Sequence, residues 1–467
     1  MEQYYPLITL AVGVATVIGM IMVLRINAFI ALITAAIVVS LMAPGETGEK
    51  ISRVAEGFGT AAGNIGIVIA LAAVIGECMM ASGAADRIVQ FFIRVLGEKR
   101  APWALMLSGF VLAVPVFFDT VFYLLVPLAR SLYKKTGKNY LLSLLAIACG
   151  GAITHTLVPP TPGPLLMADN LGIDIGAMIL GGTAVALPAA IVGLFASRFM
   201  DNRIHVPFRE FGTGNESTAP TDDELPPLGL SLMPVVLPVL FISSNTVAKT
   251  LSTSADQLAA GATMSIWDKL LPITSILGNP NLAMLVATAV SIGLVMMVRK
   301  PTLEQLSETV ERSLMSGGVI ILITSGGGAF GAMLKAANIG PAIEAMFKSD
   351  SGNVSGMMFL VLGYFVAALL KVAQGSSTVA MITASGMLAA MMTGDASLGY
   401  HPVYLATAIG AGSLMGSWMN DSGFWIFTKM GGLTEAESLK SWTVLLAILS
   451  VISMVTTVIL AIAVPMA

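Results

Sequence analysis

The chain has 467 residues, of which 56% are hydrophobic and only 11% charged, where soluble domains carry about a quarter charged residues. Together with a mean hydropathy of +0.87, this excludes a soluble globular domain and defines a polytopic membrane protein. The formal net charge of −3 gives no sign of a nucleic-acid partner and does not set orientation, which depends on where Lys and Arg fall.

Two spans come first, residues 7–24 and 26–43, with Arg25 at their junction. No basic segment precedes the first, which therefore reads as a retained span and not a signal peptide. A charged linker over 45–56 leads to a Gly- and Ala-rich span at 57–82. Over 84–97, Ile88, Phe91, Phe92 and Val95 share one face, with Asp86, Arg87 and Arg94 off it, the pattern of an interfacial helix. Residues 101–129 are apolar but interrupted at VPVFFDT, 114–120. There Pro115 breaks the helix, and Asp119 would be costly facing lipid. After a basic turn at 130–138, the span 140–153 runs into THTLVPPTPGP, 154–164, whose prolines cannot stay helical. A span at 176–200 closes the first half. Cys78 and Cys149 both lie in apolar surroundings and imply neither a disulfide framework nor a metal cluster.

Residues 202–227 form the only long polar segment and read as a solvent linker between a first transmembrane repeat, 1–201, and a second, 228–467. The second half opens with an apolar run at 228–243, an amphipathic or extramembrane stretch to Pro280, and a span at 282–298. Residues 302–312 read as interfacial, 317–334 as a Gly-rich span containing SGGGAFG, and 339–347 as a short amphipathic piece. The apolar runs 356–370 and 379–392 are each too short to cross a core of about 30 Å. Between them stand Gln374, Gly375, Ser376, Ser377 and Thr378, residues with little helix preference. Non-helical backbone at membrane depth survives only inside protein or beside water, so this pair reads as a re-entrant hairpin with a polar tip. The alternative is an ordinary helix with a Ser-rich patch. A span broken at 420–423 and a last span at 442–464 end the chain.

The order of elements recurs roughly 255 to 260 positions along, with Asp119 opposite Gln374 and His155 near Ser417; such repeats with discontinuous helices mark secondary transporters. Arg87, Arg94, Lys99 and Arg100 precede the first hairpin, and Arg130, Lys134, Lys135 and Lys138 follow it, which puts both its ends in the cytoplasm. Arg198, Arg203, Arg209, Arg299 and Lys300 are inside as well. The second hairpin then enters from outside, and its far end, 393–400, carries Asp395 and no Lys or Arg. The expected fold is all-α, with two inverted repeats, two re-entrant hairpins and broken transmembrane helices.

The four breaks, 117–120, 154–164, 374–378 and 420–423, converge if hairpins pair with broken spans. Half-helix N-termini suit a carboxylate, and hydroxyls and amides around them suit hydroxyl groups. The candidate substrate-binding residues are Phe118, Asp119, Thr120, Thr161, Gln374, Gly375, Ser376, Ser377, Thr378, Asn420, Asp421 and Ser422. Proton-coupling candidates are Asp119 and Asp421, either of which could instead cap a helix, together with His155 and Glu77. Lys371 either snorkels along the hairpin or balances a carboxylate of substrate or protein. No nucleophile with its base, nucleotide-binding loop or metal-ligand spacing is present, so neither an enzyme nor a cofactor is expected. SGGGAFG lacks the Lys-Ser/Thr of a phosphate loop and suits close helix packing. A channel would need a continuous polar pore in place of two blind hairpins.

PVFFDT at 115–120, LVPPTPGP at 157–164, GGGAFG at 326–331, AQGSSTVAMITASG at 373–386 and NDSGFW at 420–425 resemble the gluconate permease (GntP) family of the ion transporter superfamily. The resemblance covers essentially the whole chain. It implies proton-coupled uptake of gluconate and related hydroxy acids, or of D-serine in some members, across a bacterial inner (plasma) membrane. It further implies a homodimer with a scaffold domain and an elevator-type transport domain holding both hairpins. Two positions depart from the gluconate pattern: Thr161 stands where VPPHPGP-type sequences have His, and Lys371 where Arg usually precedes AQGS. The substrate thus stays open among small hydroxylated carboxylates and D-serine-type amino acids, and the coupling ion between H⁺ and Na⁺.

The charge pattern sets a topological expectation. In Lys135→Cys the thiol reacts with an impermeant maleimide solely from the cytoplasm, and in Asp395→Cys solely from outside; labelling of both from one side contradicts the inversion.

Overall fold

The computed structural model describes residues 5–209, 225–252, 265–338, 356–392, 398–419 and 421–466. The expectations for 210–224, 339–347, 393–397 and Asn420 lie outside the described residues. Within them the protein is all-helical, and seven helical segments are long and apolar enough to cross a membrane.

In chain order the first half comprises α1 (Tyr5–Ile18, continued by a π turn, Gly19–Val23), α2 (Ala28–Met42), α3 (Glu49–Ser82), α4 (Ala84–Leu96) and α5 (Ala101–Leu112). It continues with α6 (Phe118–Thr136), α7 (Tyr140–Leu157), α8 (Pro162–Asn170) and α9 (Ile175–Asp201). The second half holds α10 (Leu228–Leu251), α11 (Ile266–Leu277), α12 (Pro280–Arg299) and α13 (Leu303–Ala336). There follow α14 (Gly356–Gln374), α15 (Ser377–Met391), α16 (Val403–Gly412), α17 (Ser422–Met430) and α18 (Val444–Ala463).

Several boundaries differ from the sequence expectation, for local reasons. The charged linker is helical from Glu49 onward, so α3 reaches 34 residues. Residues 302–312 and 317–334 belong to one 34-residue helix, α13, which a Thr302–Gln305 capping box starts. The 228–243 run extends to Leu251. On α4 the buried side is Ala84, Ala85, Ile88 and Val89, while Val95 is 64% exposed. The last break is longer than expected, since α16 ends at Gly412 and α17 starts at Ser422.

α3 and α13 pack along most of their length. Gly57 abuts Ala329 and Ala332, Gly328 abuts Ala61, and Gly317 abuts Ala73. As numbers rise along one helix they fall along the other, so the pair is antiparallel. Small residues allow this close approach, which in lipid supplies dispersion and not a hydrophobic drive. α14 and α15 also run antiparallel, with Gly363 against Leu388 and a turn at Gly375, whose φ of +84° suits glycine. Beyond α9, Arg209 pairs with both oxygens of Glu437 at 2.7 and 2.8 Å and with the Gly432 carbonyl, joining the end of the first half to the second.

α5 and α7 also cross closely, backbone against backbone. A Cβ on Gly150 would lie 2.0 Å from the Met106 carbonyl oxygen and 2.8 Å from the Phe110 amide. Backbone cannot yield as a side-chain tip can, so Gly150→Ala costs at least the ~1–3 kcal/mol of overpacking. Gly293→Ala, with open space around it, gains up to about 1 kcal/mol of helix propensity. Thermal unfolding in detergent should show a lower Tm for the first and an equal or higher Tm for the second.

Candidate functional site

Four helices begin at the wall of one cavity of about 560 Å³. Each begins there for a local reason. Pro115 and the extended Phe117 precede α6. Pro159 and Pro160 end α7, and Pro162 opens α8, where its fixed φ fits and no needed N–H is lost. The Gly375 turn precedes α15, and Asp421 caps α17 by accepting the Gly423 amide at 2.9 Å. A helix start exposes unpaired N–H groups and the positive end of the dipole. Phe117 makes no side-chain cap for α6, and Ser376 accepts only the Val379 amide of α15, at 3.2 Å.

The cavity gathers Phe118, Asp119 and Thr120 of α6, with His155 of α7. It also gathers Gly375, Ser376, Ser377 and Thr378 at the α14–α15 turn and Asp421 and Ser422 at α17. The hydroxyls of Thr120, Ser377, Thr378 and Ser422 make no hydrogen bond among the described residues. The His155 Nδ1 is buried without a hydrogen-bond partner among the described residues. α13 closes the wall with Ser316, Ile320 and Thr324.

Behind the wall lies Lys371, with 0% of its side chain exposed. A lysine so buried must be paired. Its Nζ donates to the Gly375 carbonyl and to Asp421 Oδ2, both at 2.6 Å. Snorkelling is thereby excluded: Lys371 balances a protein carboxylate. Ser417 Oγ also donates to Asp421 Oδ2 and itself accepts from Trp442 Nε1 at 2.7 Å. Trp442 packs against Phe118 at 5.4 Å and Phe427 at 5.2 Å between ring centroids. Asp421 therefore caps a helix and closes an ion pair at once. Asp119, inside the first turn of α6, has no hydrogen-bond or ion-pair partner among the described residues.

Not every expected residue reaches this cavity. Thr161 is 3% exposed and donates to the carbonyls of His155 and Val158, both at 2.8 Å, so its hydroxyl closes the proline turn. Glu77 is on α3 and does not line the cavity. The side chains of Gln374 and Asn420 lie outside the described residues. Ser417 and Trp442 were absent from the sequence candidates. A tryptophan starting an apolar run is a weak signal, although a buried indole N–H needs an acceptor.

An apolar helical bundle with a polar cavity at four helix starts has the build of a membrane transporter. MtrF of Neisseria gonorrhoeae, described as illuminating a class of antimetabolite efflux pumps, shares the fold with a TM-score of 0.62 at 16% identity, over 92% of this chain and 94% of its own. The YdaH transporter of Alcanivorax borkumensis matches with a TM-score of 0.62 at 14% identity, over 94% and 98%. Residues 5–463 match the GntP family permeases, and the chain belongs to that family. It is a permease, not an enzyme, and a multi-pass protein of the bacterial inner membrane. The high-affinity gluconate transporter of Escherichia coli K12 is 30% identical over 96% of this chain and 98% of its own length. The gluconate permease of Pseudomonas aeruginosa is 31% identical over 95% of each, and the E. coli inner membrane permease YgbN is 31% identical over 94% of each.

Thr161 provides a check on the boundary of the site. Thr161→Val removes the one hydroxyl hydrogen that the two carbonyls share, worth about 0.5–1.5 kcal/mol, so the Tm falls. The Kd of a bound substrate stays within about twofold, as measured by calorimetry on the purified protein.

Proposed function

We propose that this permease imports gluconate or a related small hydroxylated carboxylate together with protons. The observation that carries the reading is the unpaired Asp119 in a cavity ringed by four helix N-termini and free hydroxyls. Helix starts attract the substrate carboxylate, and the hydroxyls of Thr120, Ser377, Thr378 and Ser422 suit a polyol chain. A second anion beside an ionised Asp119 would be strongly repelled at low dielectric. A proton on Asp119 removes that repulsion, so substrate and proton bind together. The gluconate permeases among the relatives support this choice of substrate. Sodium coupling, or a D-serine-type substrate, is the second reading; it is favoured by the same oxygen-rich broken helices, which could hold Na⁺.

Movement follows an elevator scheme in this proposal. Residues 1–201 and 228–467 are inverted repeats joined by the 202–227 linker. The turns at α5–α6 and α14–α15 are the tips of re-entrant hairpins, and two protomers form a homodimer. The antiparallel match of two 34-residue helices, α3 and α13, supports the inversion. The antiparallel α14–α15 pair around Gly375 supports a hairpin.

Two measurements test the reading. Proteoliposomes carrying the protein should show saturable [¹⁴C]gluconate counterflow and accumulate gluconate on an inward proton gradient with sodium absent; accumulation that follows only a sodium gradient at clamped pH rejects proton coupling. Losing one hydrogen bond between neutral groups costs about 0.5–1.5 kcal/mol. Ser377→Ala and Thr378→Ala should therefore each weaken gluconate binding roughly two- to tenfold, while Ser244→Ala, exposed on α10, should not. Equal effects at all three positions reject the cavity as the binding site.

A further inference from the structure

Two carboxylates line the cavity, and the coupling scheme above leaves their roles undivided. We infer that Lys371 and Asp421 form a fixed, charge-neutral clamp between the α14–α15 turn and the start of α17, and that Asp119 alone carries the coupled proton. The inference rests on the proton-coupled reading and assigns its parts.

The hydrogen inventory around Asp421 carries the first half. An indole N–H can only donate, so Trp442 Nε1 occupies a lone pair of Ser417 Oγ. The single hydroxyl hydrogen of Ser417 is thereby left for Asp421 Oδ2. The same oxygen accepts from Lys371 Nζ at 2.6 Å, and Oδ1 accepts the Gly423 amide at 2.9 Å. Three donors converge on one carboxylate. A proton added to Oδ2 would face the ammonium and the hydroxyl, and one added to Oδ1 would face the amide. Both oxygens of Asp421 are thus taken up as acceptors.

Geometry makes the pair a clamp as well as a neutral unit. Lys371 belongs to the last turn of α14, and the same Nζ grips the Gly375 carbonyl at 2.6 Å. The contact crosses 50 residues of sequence to Asp421. Breaking it would leave a charge with no exposed surface unpaired, so the turn and the start of α17 stay in one register while substrate binds and leaves. Lys371 is thus a positioning residue.

The second half follows from what is left. The titratable side chains lining the cavity are Asp119 on α6, His155 on α7 and Asp421 before α17, with Lys371 of α14 behind them. Lys371 is committed to Asp421. Asp119 has no donor and no cation beside it among the described residues, so nothing opposes its protonation. His155 Nδ1 is buried with no partner among the described residues, so an imidazolium there would bury an unpaired positive charge, whereas a proton on Asp119 removes a charge.

A substrate-free double-mutant cycle tests the clamp, and a pH series tests the carrier. Lys371→Met and Asp421→Asn should each lower the Tm of the purified protein, and the double variant Lys371→Met/Asp421→Asn should melt above either single variant, because neither charge is left alone. A double variant that melts at or below the sum of the two single shifts overturns the clamp. Gluconate affinity of the wild type should weaken by about tenfold per pH unit above the proton-binding range, the slope of one linked proton. In Asp119→Asn that slope should vanish, whatever the absolute affinity; a slope that persists in Asp119→Asn overturns Asp119 as the carrier. Absence of gluconate binding by the wild type at any pH counts against the function proposed above, and the Tm cycle then decides the clamp by itself.

Discussion

The site depends on one buried ion pair. An ammonium with no exposed surface must keep its partner, because the cost of leaving it alone is several kcal/mol. Lys371 therefore fixes Asp421, and Asp421 fixes the start of α17 through the Gly423 amide. The same lysine fixes the Gly375 carbonyl, so the α14–α15 turn cannot drift from α17. Ser417 and Trp442 extend the network, and the indole stacks near Phe118 at the start of α6. With the buried Lys371 neutralised in this way, Asp119 is the cavity carboxylate left without a partner among the described residues.

The wall opposite this network has a different physical basis. α3 and α13 meet through Gly57, Ala61, Gly317 and Gly328, so their backbones approach without bulky side chains between them. In lipid such dispersion contacts take the place of the hydrophobic effect. The packing turns Ser316, Ile320 and Thr324 of α13 toward the cavity. A rigid helix pair on one side and broken helices on the other give a polar chamber inside an apolar bundle. The broken backbone is admissible there because it is buried in protein.

Much of this was legible where the cause is local. Proline placement located the breaks at 114–120 and 154–164, since a missing N–H and a fixed φ act whatever the tertiary setting. Gly375 and the hydroxyl run after it located the α14–α15 turn. Asp119 and Asp421 stood out as carboxylates in apolar runs. Thr161 looked like their equal, yet its hydroxyl closes a turn onto His155 and Val158, a geometry that spacing does not reveal. The polar residues 302–312 suggested a separate surface helix because charge and apolarity change together there; the Thr302–Gln305 capping box shows a single start for α13.

Sequence by itself determined that this is a multi-span helical membrane protein with polar breaks at mid-chain positions, since apolar length, proline and glycine act through the solvent and the backbone. Only the tertiary structure decided which carboxylate is paired. Lys371 and Asp421 are 50 residues apart, Ser417 and Trp442 are 25 apart, and neither pairing has a periodicity to announce it. A buried charge takes whatever partner the packed helices bring within about 3 Å, and that choice is made by the fold.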